Sequence, residues 1–92
     1  MTENEHKTLE KAIRVWGKTP QLLMVLEEMS ELQKEILKNL NRGKNNLAEL
    51  IEETVDVEVT LAQLKIIYGI EDKVAAGFSE KIRVVESYLK DA

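Results

Sequence analysis

The sequence predicts an all-α fold, a four-helix bundle that is completed by oligomerisation. Apolar residues recur at spacings of three and four along most of the 92 residues, and only one proline and four glycines interrupt them. The chain has no cysteine, so no disulfide can stabilise the small core that a chain of this length forms. Residues 1–92 are therefore expected to form a single domain whose apolar surface is partly covered by another copy.

The first helix is expected to begin after Thr2, which has capping-box spacing to Glu5, and to run to about Trp16. The sequence GKTP, residues 17–20, then breaks it. Its glycine tolerates a left-handed turn, its threonine can cap a new helix, and its proline suits the first helical position.

The second helix is predicted from about Pro20 to the polar sequence NRGKNN at residues 41–46. One helical stripe carries its apolar residues Leu22, Leu23, Leu26, Met29, Leu32, Ile36, Leu37 and Leu40.

The third segment contains TVDVEVT, residues 54–60, which alternates as a half-buried strand would. A helix is favoured because apolar residues keep 3,4 spacing for three heptads, because Asn45 or Asn46 can cap its start, and because Gly69 suits its end. The stripe consists of Leu47, Leu50, Thr54, Val57, Leu61, Leu64 and Tyr68.

The fourth helix is predicted from about Glu71 to Lys90. Tyr68 and Phe78 occupy stripe positions and are expected in the core, whereas His6, in a charged turn, is expected to be exposed. Short loops between the helices predict antiparallel neighbours.

The net charge and the hydropathy of the chain limit the classes of binding partner that it can have. The net charge is −4, from 17 acidic and 13 basic side chains, which argues against binding nucleic acid. No apolar run has the length of a membrane span, and the N-terminal sequence is too polar for a signal peptide. A cytoplasmic location without membrane contact is the expectation.

Two acidic segments, LEEMSEL at residues 26–32 and IEETVDV at residues 51–57, repeat one pattern. Glu28 and Glu31 are three residues apart and share a helix face, as do Glu53 and Asp56, and both faces border apolar residues. Clustered carboxylates repel each other unless a cation or a proton compensates them. Oxygen ligands suit Mg²⁺ or Mn²⁺, so these four residues are the predicted metal ligands. The alternative is a solvated acidic face, as for the unpaired glutamates Glu10, Glu35, Glu49, Glu58, Glu71, Glu80 and Glu86.

The chain resembles the MazG-like all-α nucleoside triphosphate pyrophosphohydrolases, whose signature is E-E-x-x-E followed by E-x-x-D. The matching residues here are Glu27, Glu28, Glu31, Glu53 and Asp56, and the resemblance covers most of the chain. It implies Mg²⁺-dependent hydrolysis of a nucleoside triphosphate to the monophosphate and pyrophosphate. It also implies a homodimer or homotetramer with active sites completed across subunits.

Further roles follow from the resemblance and from side-chain chemistry. Glu27 is the catalytic candidate, either as the base that takes a proton from water or as an outer ligand. Lys81 matches a phosphate-binding position of the family; Arg42 and Lys44 in the loop are weaker candidates. Trp16 can stack on a nucleobase or can belong to the core. The rival function is a non-enzymatic acidic helical module that binds a partner protein; a ferritin-like dimetal bundle is disfavoured because no Glu-x-x-His accompanies the acids.

Overall fold

The computed structural model describes residues 1–43 and 45–92. Over this part of the chain the regular structure is entirely helical, which confirms the all-α prediction, and TVDVEVT lies inside the third helix. The helices are α1 (Glu3–Trp16), α2 (Lys18–Arg42), α3 (Leu47–Tyr68) and α4 (Glu71–Leu89). The predicted loop residue Lys44 lies outside the described residues.

The capping box at the start of α1 is confirmed. The backbone N–H of Glu5 donates to Thr2 Oγ1 at 3.1 Å, and the backbone N–H of Thr2 donates to Glu5 Oε1 at 2.6 Å. These two bonds satisfy N–H groups that have no acceptor within the helix.

The start of α2 differs from the prediction. The helix begins at Lys18, directly after Gly17, whose φ of 93° suits glycine, and Thr19 does not cap it. Pro20 is therefore the third helical residue rather than the first. The position is still compatible with proline, because N–H groups of the first turn have no helical acceptor to lose.

The connection between α2 and α3 is anchored by Asn46. Its side chain makes no capping bond, contrary to expectation, and is instead buried against α2. Nδ2 donates to the Glu35 carbonyl at 2.9 Å and to Glu35 Oε2 at 2.8 Å, while Oδ1 accepts from Asn39 at 3.1 Å. The Glu35 side chain, predicted to lie on the surface, is thus largely buried and also pairs with Lys38 at 3.2 Å.

Helix α4 follows Gly69, whose φ of 63° ends α3 in a left-handed conformation, and within the described residues its backbone approaches only α3. A side-chain bridge joins it to α1. His6, expected to be exposed, is half-buried, with Nδ1 3.1 Å from Glu10 Oε1 and Nε2 3.2 Å from Glu71 Oε1. Glu10 and Glu71 were likewise expected to be free surface acids, and both are half-buried.

The interior is small. Val25 is the one buried apolar residue among those described, and Gln21, Asn46, Thr60 and Gln63 are buried with it. The prediction that Tyr68 and Phe78 belong to the core is wrong for the single chain, in which they are 61% and 69% exposed. No described helix has both the length and the apolar character needed to cross a membrane.

Candidate metal centre

The antiparallel packing of α2 and α3 brings acids from the two repeated segments together. Glu28 on α2 meets Glu53 and Asp56 on α3, and one carboxylate oxygen from each lies within 4.8 Å of the others. All three side chains are half-buried. The structure therefore brings together three of the four predicted metal ligands, from both acidic segments.

Burial and repulsion act on Glu28 within this group of three side chains, which we call the carboxylate cluster. The pKa of Glu28 is raised above its usual value, first by burial and then by the negative charges of Asp56 and Glu53. Glu53 contributes a further anomaly, because its Oε2 is inaccessible to solvent and has no hydrogen-bond partner among the described residues. An inaccessible carboxylate oxygen without a partner is costly, so the cluster favours a bound proton or a bound cation.

The dimensions of the carboxylate cluster suit a divalent ion. Two oxygens on opposite sides of a cation with bonds of about 2.0 to 2.6 Å are about 4 to 5 Å apart. The oxygens of the three carboxylates lie no farther apart than such an ion allows, and they offer only oxygen, the donor that Mg²⁺ and Mn²⁺ prefer. Glu28, Glu53 and Asp56 could thus hold such an ion, with open positions left for water or phosphate oxygens.

Two further acids of the signature lie outside the carboxylate cluster. The Glu31 side chain is half exposed and its Oε1 lies 3.8 Å from Lys34 Nζ, so it does not join the three oxygens. Glu27 is exposed on the neighbouring face of α2. The role of Glu31 as a ligand and the role of Glu27 as a base stay predictions.

A cavity of about 790 Å³ opens beside the carboxylate cluster, between α1, α2 and α3. Glu28 and Asp56 form part of its wall, and Trp16, which is 64% exposed, forms another part. The indole therefore presents a surface to the cavity instead of packing into the core. Lys81 is exposed on α4 and does not line the cavity.

Two residues of the cavity wall were not singled out from the sequence. Gln21 and Gln63 are buried and line the same cavity as Glu28 and Asp56. A sequence signal for them exists: Gln21 is seven residues before Glu28, and Gln63 is seven residues after Asp56. Seven residues are about two helical turns, so each glutamine shares a face with an acid of the cluster.

Comparisons with protein-family models, with curated proteins and with solved structures find no match.

Proposed function

We propose that this protein is a Mg²⁺-dependent hydrolase that cleaves nucleoside triphosphates to the monophosphate and pyrophosphate, with Mn²⁺ as an alternative ion. The observation that carries the proposal is the carboxylate cluster with its inaccessible, unbonded Glu53 oxygen. It is reinforced by the adjacent cavity, which is large enough for a nucleotide, and by the resemblance of both acidic segments to the MazG-like signature.

The acidic residues of the signature have different roles in the proposed reaction. Glu28, Glu53 and Asp56 would hold the cation, which would neutralise charge on the triphosphate and acidify a water molecule. Glu27, exposed next to Glu28, would accept a proton from a water molecule whose oxygen forms a bond to the α-phosphorus. The bond between the α-phosphorus and its bridging oxygen to the β-phosphate breaks, and pyrophosphate leaves. Glu31, one turn further along α2, would complete the ligand set if its side chain turned away from Lys34.

The proposal includes a homodimer, with a homotetramer as the second choice. The chain exposes 7288 Å², whereas a compact monomer of its mass exposes about 5,400 Å². The excess, roughly 1,900 Å² per chain, is what a subunit of an obligate dimer commonly buries. Because Lys81 lies on α4 away from the cavity, its contact with phosphate is proposed to come from the second copy.

The test is a panel of nucleoside triphosphates with Mg²⁺, assayed for pyrophosphate. Glu53→Gln and Asp56→Asn keep the side-chain shape but remove a charge that the cation needs. Loss of an outer-shell partner of a metal costs about 10- to 100-fold, so loss of a direct ligand should lower turnover by about 100-fold or more. Glu52→Gln, an exposed acid next to Glu53, is the matched control and should keep full activity. Release of orthophosphate instead, or full activity of both variants, would contradict the proposal.

The second candidate is a helical module that binds a partner protein. The uncovered apolar side chains of α4, including Phe78 and Ile82, favour it. The two functions differ in their response to Mg²⁺, because only the enzyme requires an ion that binds the folded chain and raises its melting temperature. A Mg²⁺-induced rise in wild type that disappears in Asp56→Asn favours the enzyme, and its absence in wild type favours the module.

A further inference from the structure

Two amide groups in the cavity wall lack the partners that buried polar groups need. Gln21 is 7% exposed and Gln63 is 5% exposed. Over residues 1–43 and 45–92 neither amide donates or accepts a hydrogen bond. In this part of the chain, Glu53 Oε2 is the only side-chain polar atom that is both inaccessible and unbonded. The amide atoms of both glutamines are therefore accessible to solvent, through the cavity that both residues line.

Buried polar groups are nearly always hydrogen-bonded, so a pair of unpartnered amides requires an explanation. No described backbone or side-chain group supplies a hydrogen-bond partner, so the partners of both amides must come from water or from a ligand in the cavity. Two amides that open onto one cavity instead indicate a ligand with donors and acceptors of its own.

The positions of the amides relative to the carboxylate cluster define the geometry of this ligand. Each glutamine is about two turns, or roughly 10 Å, along its helix from an acid of the cluster and on the same face. A 5′-nucleotide has comparable length between its phosphate and the hydrogen-bonding edge of its base. Trp16, on the α1 side of the cavity, adds a flat apolar surface to the wall.

We propose that Gln21 and Gln63 bind the hydrogen-bonding edge of the nucleobase while the triphosphate lies at the carboxylate cluster. The proposal rests on the proposed function. An amide offers one donor and one acceptor, and by rotation it presents them in either order. Uracil and cytosine carry these groups in opposite orders, as guanine and adenine do, so the pair can bind either base of each couple with little discrimination.

A second copy of the chain is the competing occupant of the cavity, because apolar side chains of α4 are uncovered. Apolar side chains of a second copy would bury both amides without hydrogen-bond partners, which is unfavourable in free energy. The edge of a base would supply those partners. The observations thus favour a planar polar ligand.

The test measures binding of the α,β-imido analogues of dUTP and dCTP, which resist cleavage, in the presence of Mg²⁺. Trp16 is the single tryptophan and lines the cavity, so its fluorescence reports binding directly. Gln21→Leu and Gln63→Leu remove one base contact each and should weaken binding about 2- to 10-fold. They should leave the melting temperature unchanged or higher, since an unpartnered amide is removed. Gln33→Leu, at an exposed position of α2, is the matched control and should bind as wild type does.

Gln63→Glu tests the hydrogen bonds themselves. A carboxylate only accepts hydrogen bonds, so the introduced glutamate would keep the bond from the cytosine amino group but could not donate to uracil O4. The ratio of the two affinities should therefore shift several-fold toward the dCTP analogue. Leucine variants that bind as wild type does, an unchanged binding ratio in Gln63→Glu, or a melting temperature lowered in both leucine variants would overturn the base site.

The outcomes separate this proposal from the hydrolase function. If analogue binding depends on the amides but natural triphosphates release no pyrophosphate, the hydrolase proposal is contradicted and the base site is supported. If pyrophosphate is released but binding does not depend on the amides, the base site is contradicted and the hydrolase proposal is supported. Failure of wild type to bind either analogue overturns the base site, as expected if a second copy fills the cavity.

Discussion

At the scale of single residues, Glu28 shows how position within the fold determines the behaviour of a common side chain. The same glutamate on an open helix face would titrate in the ordinary range. Burial and the neighbouring Asp56 and Glu53 raise its pKa, so the folded chain binds a proton here more tightly than the unfolded chain does. Its charge therefore opposes folding when the pH rises above the ordinary glutamate range, and a cation would offset that opposition.

We expect Glu28→Gln to raise the melting temperature in the presence of a chelator at neutral pH. The folded-state pKa lies above the unfolded-state value, so wild type loses stability as the pH rises through this interval, and the glutamine variant lacks that loss. Thermal unfolding at pH 4 and pH 8 measures the difference. Glu52→Gln, which is exposed on α3, should change little at either pH. A lower melting temperature for Glu28→Gln at pH 8 would contradict this account.

At the scale of helices, polar side chains join α2 to α3 and α1 to α4. Asn46 is 5% exposed and makes three hydrogen bonds to residues of α2. It fixes where α3 begins relative to α2, and thereby helps set the register in which Asp56 faces Glu28.

Asn46→Ala should destabilise the chain by about 1 to 3 kcal/mol, because the carbonyl oxygen and the largely buried carboxylate of Glu35 lose a hydrogen-bond partner. A loss of 1 kcal/mol lowers the melting temperature of a domain of this size by roughly 4 to 8 °C. Asn45→Ala, at the exposed preceding residue, is the control and should be nearly neutral. Equal melting temperatures for the two variants would show that Asn46 does not anchor the connection.

The bridge between α1 and α4 should depend on pH. Both ring nitrogens of His6 face carboxylates, so only the protonated ring donates to Glu71 and Glu10 together, and these bonds raise its pKa. When folding raises the pKa of a histidine, the stabilisation is complete at pH values below its pKa in the unfolded chain, near 6.5. It is lost as the pH rises through the pKa in the folded chain. His6→Ala should therefore lower the melting temperature at pH 5.5 more than at pH 8.5. An equal effect at both pH values would mean that the charge of the ring is immaterial.

At the scale of the whole molecule, the chain is more extended than its length requires. Its radius of gyration is 16.1 Å, against about 12 Å for a compact domain of this length. Exposed apolar residues on α4 accompany the extension. Both features are expected of a subunit whose core is completed by a second copy.

Phe78→Lys should shift the protein from dimer to monomer in light scattering at micromolar concentration, since a charge in an apolar interface is poorly compensated. Ser79→Lys adds the same charge at the next exposed position of α4 and serves as the control. A wild type that is already monomeric, or a Phe78→Lys variant that stays dimeric, would count against assembly through this side of α4.

The sequence predicted the four helices, because apolar spacing and glycines act locally, and it predicted the convergence of four acids, of which the structure brings together Glu28, Glu53 and Asp56. It did not predict which stripe residues a single chain would bury: Tyr68 and Phe78 have core spacing but remain exposed. Nor did it predict the bonds of Asn46 to α2 or of His6 to Glu71, which cross between elements and so depend on packing. The burial of Gln21 and Gln63 in the cavity wall was not predicted, because a lone glutamine on a helix is ordinarily a surface residue.

The hydrogen bond from Asn46 to the Glu35 carbonyl also bears on folding kinetics, since it links residues eleven positions apart. Contacts over short sequence separations form early, because closing a short loop sacrifices little chain entropy. The hairpin that brings Glu28 to Asp56 should consequently close in a first-order step of refolding. Association of chains is second order and slows on dilution, so the carboxylate cluster should form before any association of chains.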